Sequence, residues 1–205
     1  MKYAIVFPGQ GSQSLGMLSD LSDNFPIVKE VFTEASDALG FDLWALTQED
    51  QEALNQTQNT QPAMLAAGYA TYRALTSETE LSPICMAGHS LGEYTALVAS
   101  GSLGFTDGIK LVRTRAELMQ SAVPAGVGAM AAILGLEDEV VVKVCADYTG
   151  EGIVEAVNFN SNGQVVIAGN KEAVDATCEA MKAAGAKRAV ILPVSVPSHC
   201  SLMDD

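Results

Sequence analysis

The stretch MAGHSLGEY, residues 86–94, places one serine between two glycines. An apolar run, Pro83 to Ala87, precedes it, and a segment with helical character follows it to about Ser100. A strand that turns sharply into a helix around Gly-x-Ser-x-Gly is the pattern of a nucleophile elbow, because only glycine fits on either side of so tight a turn. The sequence predicts that Ser90 projects a nucleophilic hydroxyl from the end of a sheet, where the amide of Leu91 can stabilise an oxyanion.

Strands and helices alternate around this turn. Tyr3 to Phe7 is a short apolar strand that ends in the glycine-rich turn GQGSQ at 9–13. Pro26 to Leu39 has a helical pattern, and a second helix is predicted to open at residues 60–62, with Pro62 in its first turn. This alternation predicts a parallel sheet that helices cover on both faces.

The order of elements changes after about Val127. Strand, helix, strand, strand, helix and strand follow one another in GAMAAILGL (128–136), EDEVVVKVCADY (137–148), GIVEAVNFN (152–160), QVVIAGN (164–170), KEAVDATCEAMKAAGA (171–186) and KRAVILPV (187–194). The order β-α-β-β-α-β is that of a ferredoxin-like unit. We therefore expect a small inserted subdomain at 126–193 and a larger subdomain formed by 1–125 and 194–205.

Charge, hydropathy and cysteine spacing exclude several classes of function. The net charge of −14 argues against nucleic acid as a partner. No apolar run is long enough to span a bilayer, and the apolar start before Pro8 is too short for a signal peptide. The four cysteines have neither CxxC nor zinc-site spacing, which indicates reduced thiols in a cytoplasmic protein without a bound metal. Eight of the eleven Lys and Arg residues lie beyond residue 109, and they form either solvated helix faces or a patch for an acidic partner.

A serine nucleophile needs a general base, and the chain has two histidines. His89 adjoins Ser90 and is expected to point the other way, in a role of local packing or hydrogen bonding. His199, in VSVPSHCSLM at 194–203, is the candidate base, and a loop histidine held by hydrogen bonds is the alternative. Cys200 is a second possible nucleophile, but neighbours in sequence rarely face each other.

An arginine stands out in the predicted helix IKLVRTRAELMQ at 109–120. At about 100° per residue Arg115 falls in the apolar arc, with Leu111 and Leu118 to one side and Val112 and Met119 to the other. Arg113 falls on the polar arc and is expected to face solvent. A buried guanidinium must be paired. Its partner is either a structural carboxylate or an acidic substrate bound in bidentate fashion.

Six motifs together carry a resemblance over the whole chain and in order. They are FPGQGSQ (7–13), TQPA (60–63), GHSLGEY (88–94), TRAELMQ (114–120), VNFNSNGQVVIAG (157–169) and VPSHC (196–200). The sequence resembles the malonyl-CoA:acyl-carrier-protein transacylases, the acyltransferase family that supplies malonyl groups on acyl carrier protein to bacterial fatty-acid synthesis. The resemblance implies an α/β fold with an α/β-hydrolase-like large subdomain and a ferredoxin-like small one.

The resemblance also implies a role for each candidate residue. Ser90 is acylated by malonyl-CoA and His199 takes and returns the proton. Gln10 and the Leu91 amide form the oxyanion hole, and Arg115 binds the malonyl carboxylate. The acyl group then passes to the phosphopantetheine thiol of acyl carrier protein, and malonyl-CoA is a substrate in a cycle without a cofactor or metal.

The family pattern continues beyond SLMDD at 201–205, so we expect a C-terminally truncated chain that lacks the group orienting the histidine. Two other functions remain open. A serine thioesterase or esterase of similar architecture shares the elbow and base but admits water to the acyl-enzyme. An inactive fragment that only binds carrier proteins is the second alternative.

Overall fold

The computed structural model describes residues 2–124, 126–192, 194 and 196–204. Within these residues the chain divides into two units, Met1–Glu117 and Leu118–Asp205. The subdomain boundaries at 125/126 and 193/194 stay a prediction, since Ala125 and Pro193 lie outside the described residues.

The first unit surrounds a parallel pair of strands with helices. Its elements in chain order are β1 (Ala4–Phe7), α1 (Ser19–Asn24), α2 (Ile27–Leu39), α3 (Leu43–Glu49), α4 (Gln51–Leu54), α5 (Thr57–Glu78), β2 (Cys85–Gly88), α6 (Leu91–Ala99) and α7 (Phe105–Ala122), of which α7 continues past Glu117. Strands β1 and β2 are parallel, with Ala4 opposite Cys85 and Phe7 opposite Gly88. Parallel strands need a crossover connection, and here it consists of α1 to α5.

The core of the first unit is built on α2 and α5. Phe32 of α2 is fully buried and meets Trp44 edge to face, with ring centroids 5.0 Å apart. The first half of α5 is buried almost continuously, and its polar side chains there have partners. Thr60 Oγ1 donates to the carbonyl of Leu54 at 2.6 Å, and Asn59 Nδ2 donates to the carbonyl of Ala53 at 3.0 Å. These bonds satisfy carbonyls at the end of α4.

The start of α5 differs from the sequence prediction. The helix begins at Thr57, so Pro62 is its sixth residue rather than part of an opening at 60–62. Proline has no N–H to donate to the carbonyl four residues earlier, which is that of Gln58. Arg113 supplies the missing donor, with Nη1 3.1 Å from the Gln58 carbonyl and 2.7 Å from Asn59 Oδ1. The expectation that Arg113 faces solvent was wrong, because its head group is committed to α5.

The second unit has the predicted β-α-β-β-α-β order. Its elements are β3 (Gly128–Leu134), α8 (Asp138–Ala146), β4 (Val154–Ser161), β5 (Gln164–Asn170), α9 (Lys171–Ala183), β6 (Arg188–Ile191) and a 3₁₀ turn (Ser201–Met203). The strands form one antiparallel sheet in the order β4-β5-β3-β6. This arrangement confirms the ferredoxin-like prediction, and with the parallel strands of the first unit it confirms the α/β fold class.

Both faces of this antiparallel sheet are covered. Helices α8 and α9 pack on one face around Ile133, Ile167 and Met181. On the other face Met130, Val166, Ala168 and Cys200 form a smaller cluster with Leu202. The segment 196–204 therefore packs on the face opposite the helices.

No helix among the described residues is both long enough and apolar enough to cross a membrane.

The four cysteines, all free thiols, should react at very different rates. Burial raises the pKa of Cys145 to about 11, and burial also raises the pKa of Cys178 and Cys200. Cys85 is exposed. Because the thiolate is the reactive form, a disulfide reagent at pH 8 should modify one thiol rapidly in the folded chain and all four after unfolding. Cys85→Ser should abolish the rapid phase, and a rapid phase that persists would contradict the burial.

The bond between Arg113 and the start of α5 predicts a coupling between two positions. Arg113→Ala leaves the Gln58 carbonyl without its donor and should lower the free energy of unfolding by about 1–3 kcal/mol. Pro62→Ala restores the N–H that the helix lacks, so the cost of Arg113→Ala should be smaller in that background. Urea unfolding of the parent protein, the two single variants and the double variant measures the difference in a double-mutant cycle. Equal costs in both backgrounds would show that Arg113 does not replace the helix donor.

Candidate active site

The predicted strand-turn-helix around Ser90 is present. Strand β2 ends at Gly88 and α6 begins at Leu91. Ser90 has φ 51° and ψ −108°, a positive-φ conformation outside the left-handed helical region that is uncommon for a residue with a side chain. Such conformations cost on the order of 1–3 kcal/mol and persist only where the surroundings impose them. The backbone of this turn is therefore strained at the candidate nucleophile.

Two glycines impose that conformation. A Cβ atom on Gly88 would overlap the backbone of Gly92, and a Cβ atom on Gly92 would overlap the carbonyl of Phe7 and lie 2.8 Å from that of Pro8. The turn thus closes on itself and on the end of β1. No larger residue fits at either glycine without moving main chain.

His89 is held by its main chain at the same turn. Its amide donates to the Phe7 carbonyl at 3.1 Å, and its own carbonyl accepts from the Gly92 amide at 2.9 Å. A Cβ atom on Gly9 would lie 2.6 Å from the His89 carbonyl oxygen and 3.1 Å from Nδ1. These contacts join the glycine-rich turn after β1 to the elbow, and they agree with the local role expected of His89.

Arg115 reaches the candidate nucleophile directly. Its Nη2 donates to Ser90 Oγ at 3.2 Å and its Nη1 donates to Gln61 Oε1 at 2.7 Å. The guanidinium carbon also lies 5.5 Å from the centroid of the Tyr94 ring. Helix α5, through Gln61, and α6 with its N-cap, through Tyr94 and Ser90, therefore place side chains around a guanidinium carried by α7.

The surroundings of Arg115 differ from the predicted apolar arc. Leu111 and Leu118 are 46% and 64% exposed, and Arg115 itself is half-buried. No carboxylate of the described residues forms an ion pair with Arg115. The structural carboxylate that the sequence left open is thus not found there, and the positive charge beside Ser90 is not neutralised by an acid of the described chain.

Sequence reasoning missed Gln61 and Tyr94. Gln61 is 1% exposed, although glutamine is seldom buried, and its position in the TQPA motif was noted without a role. A polar side chain in the buried half of an amphipathic helix was the available signal. Its partner on α7 is 54 residues away, which spacing alone does not disclose.

Gln10 and Leu91 lie close to the elbow within the first unit. Gln10 follows Gly9 in the turn after β1, and its Nε2 donates to Thr57 Oγ1 at 3.2 Å. Leu91 is the first residue of α6, where main-chain amides point out of the helix. The oxyanion role of both residues stays a prediction.

His199 lies in the second unit, and its pairing with Ser90 stays a prediction. It is exposed and has φ 69°, again a positive φ at a residue with a side chain. Cys200, the alternative nucleophile, is 3% exposed and its Sγ donates to the Pro197 carbonyl at 3.1 Å. Because burial raises the pKa of Cys200, its thiol is poorly suited to attack.

The described residues contain no group of three or more His, Cys, Asp and Glu side chains placed to hold a metal ion.

Comparison with known proteins places this geometry in a family. Residues 4–205 match the acyl transferase domain. The chain is 58% identical over 203 residues to malonyl CoA-acyl carrier protein transacylase of Escherichia coli K12, covering 98% of this chain and 66% of the relative. It thus spans slightly less than two thirds of that relative's length.

Solved structures agree with the sequence comparison. An acyl carrier protein S-malonyltransferase from Vibrio cholerae superposes with a TM-score of 0.94 at 58% identity, over 99% of this chain and 67% of that one. A chain from the structure of a type II PKS acyl-carrier protein in complex with its malonyl-transacylase superposes with a TM-score of 0.97 at 56% identity. The match covers 99% of this chain and 66% of that one. The resemblance predicted from the six motifs is confirmed, and this chain belongs to the acyl transferase family.

Proposed function

We propose that the protein transfers a malonyl group from malonyl-CoA to the phosphopantetheine thiol of acyl carrier protein. The contact between Arg115 and Ser90 carries this proposal. A cation 3.2 Å from the nucleophilic oxygen suits a short acyl group with a carboxylate at its far end. Relatives named malonyl CoA-acyl carrier protein transacylase support the same substrate.

The first half of the proposed cycle acylates the enzyme. Ser90 Oγ attacks the thioester carbonyl of malonyl-CoA while His199 accepts the serine proton. The carbonyl oxygen becomes an oxyanion, for which Gln10 and the Leu91 amide are the proposed donors. The C–S bond then breaks, and His199 returns the proton to the departing coenzyme A thiolate, which leaves malonyl-Ser90.

The second half transfers the acyl group. The carrier-protein thiol gives its proton to His199 and attacks the malonyl-Ser90 ester. The ester C–O bond breaks, Ser90 Oγ recovers the proton, and a malonyl thioester of the carrier protein leaves. The cycle is ping-pong, and it needs no cofactor besides the malonyl-CoA that it consumes.

Arg115 accounts for selectivity in this proposal. Malonyl and acetyl thioesters differ by one carboxylate, which the guanidinium can bind through two parallel hydrogen bonds. An acetyl group leaves this cation without an anionic partner, and breaking a buried charge pair costs about 3–5 kcal/mol. The half-exposed position of Arg115 reduces that figure, but the sign remains in favour of malonyl.

Gln61 prepares Arg115 for this task. Its buried amide oxygen is neutral, so it fixes one nitrogen of the guanidinium without cancelling the charge. A carboxylate at this position would pair with Arg115 and compete with the substrate. A glutamine therefore orients the cation and leaves its charge available to malonate.

A cytoplasmic location is part of the proposal. Its support is that all four cysteines are free thiols, as expected in a reducing compartment.

Acylation can be tested by intact-mass spectrometry after brief mixing of the chain with malonyl-CoA. We expect one malonyl group, mapped to Ser90 by peptide fragmentation, and none on Ser90→Ala. Acetyl-CoA in parallel should give little adduct. Addition of pantetheine thiol should then move the malonyl group to the thiol. Release of free malonate instead would support a thioesterase, and no adduct on a folded chain would contradict the proposal.

Substitution of Arg115 tests selectivity. Arg115→Ala should lower the ratio of kcat/KM for malonyl-CoA to that for acetyl-CoA by roughly a hundredfold, because the carboxylate loses its partner. Gln61→Ala should lower the ratio less, since the charge stays and only its orientation is lost. Arg73→Ala removes an exposed arginine of the same unit and should leave the ratio unchanged. An Arg115→Ala protein that still strongly prefers malonyl-CoA would overturn the assigned role.

A further inference from the structure

A carboxylate of the second unit holds the turn that carries His199. Glu155 lies in β4, and its side chain reaches the residue two positions after the histidine. Its Oε2 accepts the main-chain N–H of Ser201 at 3.0 Å, and its Oε1 accepts the Ser201 hydroxyl at 2.6 Å. Both oxygens of one carboxylate thus bind one residue, through its main chain and its side chain.

These two hydrogen bonds fix the orientation of Ser201 relative to Glu155 as well as its distance. A hydrogen bond to a charged acceptor is roughly twice as strong as one between neutral groups. Glu155 itself sits on a rigid base, because β4 is paired with β5 and Glu155 lies opposite Ala168. A residue held on a paired strand positions its partner more closely than one held on a loop.

The residues next to His199 are anchored as well. Cys200 is buried against Met130, Val166 and Ala168, and its thiol donates to the Pro197 carbonyl. Pro197 is buried and packs so closely on Gly128 that a Cβ atom there would overlap its ring. The turn is therefore fixed before and after the histidine, while His199 itself is exposed.

The backbone of His199 explains why such anchoring is needed. At φ 69° the residue is in a region that a side chain disfavours, so the turn would relax if its neighbours were released. Cys200 holds the turn by apolar packing, and Glu155 holds it by the two hydrogen bonds to Ser201, which orient the main chain next to His199.

We propose that Glu155 is a positioning residue for His199, acting through Ser201. The proposal rests on the proposed function for its effect on catalysis. Glu155 holds the turn through both proton transfers, so that the imidazole neither rotates away nor needs to be reordered in each half of the cycle. A misplacement of about 1 Å can reduce a rate by roughly a hundredfold.

The structural part can be tested by NMR without reference to activity. His89 and His199 are the two histidines of the chain, so Glu155→Ala should shift the side-chain signal of His199 and leave that of His89 in place. Amide hydrogen exchange at Ser201 should become at least tenfold faster. Glu155→Gln keeps an acceptor for the amide and a donor for the hydroxyl, and it should restore both signals. Glu151→Ala removes an exposed carboxylate of the same unit as the matched control.

Kinetics test the catalytic part. Glu155→Ala should lower kcat for malonyl transfer by about tenfold to a hundredfold with KM for malonyl-CoA unchanged, because Glu155 binds the turn and not the substrate. Glu155→Gln should recover most of kcat, and Ser201→Ala should fall between the two. A loss confined to KM, or a loss that Glu155→Gln does not restore, would contradict a positioning role.

The outcomes separate the two proposals. An unshifted His199 signal and unchanged Ser201 exchange in folded Glu155→Ala would overturn the inference. If that variant fails to fold, Ser201→Ala decides: it removes the hydroxyl bond and keeps the amide bond, so the His199 signal should shift by a smaller amount, and an unshifted signal overturns the inference. Absence of malonyl-Ser90 in the parent chain would instead refute the proposed function, and the NMR result would still decide the role of Glu155.

Discussion

The close packing of Gly88 and Gly92 is the constraint on which the first unit depends. With no side chain on either glycine, the end of β2 and the start of α6 approach each other and the end of β1. That approach accompanies the positive φ of Ser90, and α6 begins directly after it, beside the point where β1 and β2 both end. Strand pairing, helix direction and the candidate nucleophile are thus set by one contact between main chains.

Helix α7 contributes the second constraint, through two arginines two residues apart. Arg113 bonds the carbonyl that Pro62 leaves without a donor, and Arg115 bonds Gln61, the residue directly before that proline. The same stretch of α5 therefore receives a structural arginine and a candidate substrate arginine side by side. A proline inside a helix is normally destabilising. Here it leaves the Gln58 carbonyl of α5 available to Arg113, and that hydrogen bond holds α7 against α5 beside Arg115.

Sequence patterns correctly predicted the features that depend on residues close together in the chain. The Gly-x-Ser-x-Gly turn and the β-α-β-β-α-β order follow from patterns within short stretches of sequence, and the periodicity of one helix marked Arg115 as unusual. The role of Arg113 did not follow, because it depends on a contact across more than fifty residues, with the helix carbonyl that Pro62 leaves without a donor. The apolar arc of α7 was also overestimated at Leu111 and Leu118, since helical periodicity identifies a face but not what covers it.

The positive φ at Ser90 limits which nucleophilic side chains this turn can hold. Threonine carries the same hydroxyl, but a β-branched residue at φ 51° is a steric outlier, so the backbone excludes it even where the chemistry would allow it. Cysteine keeps an unbranched Cβ and fits the turn. The range of chemistry open to this scaffold is therefore limited by the shape of one Cβ atom rather than by the reactivity of the group attached to it.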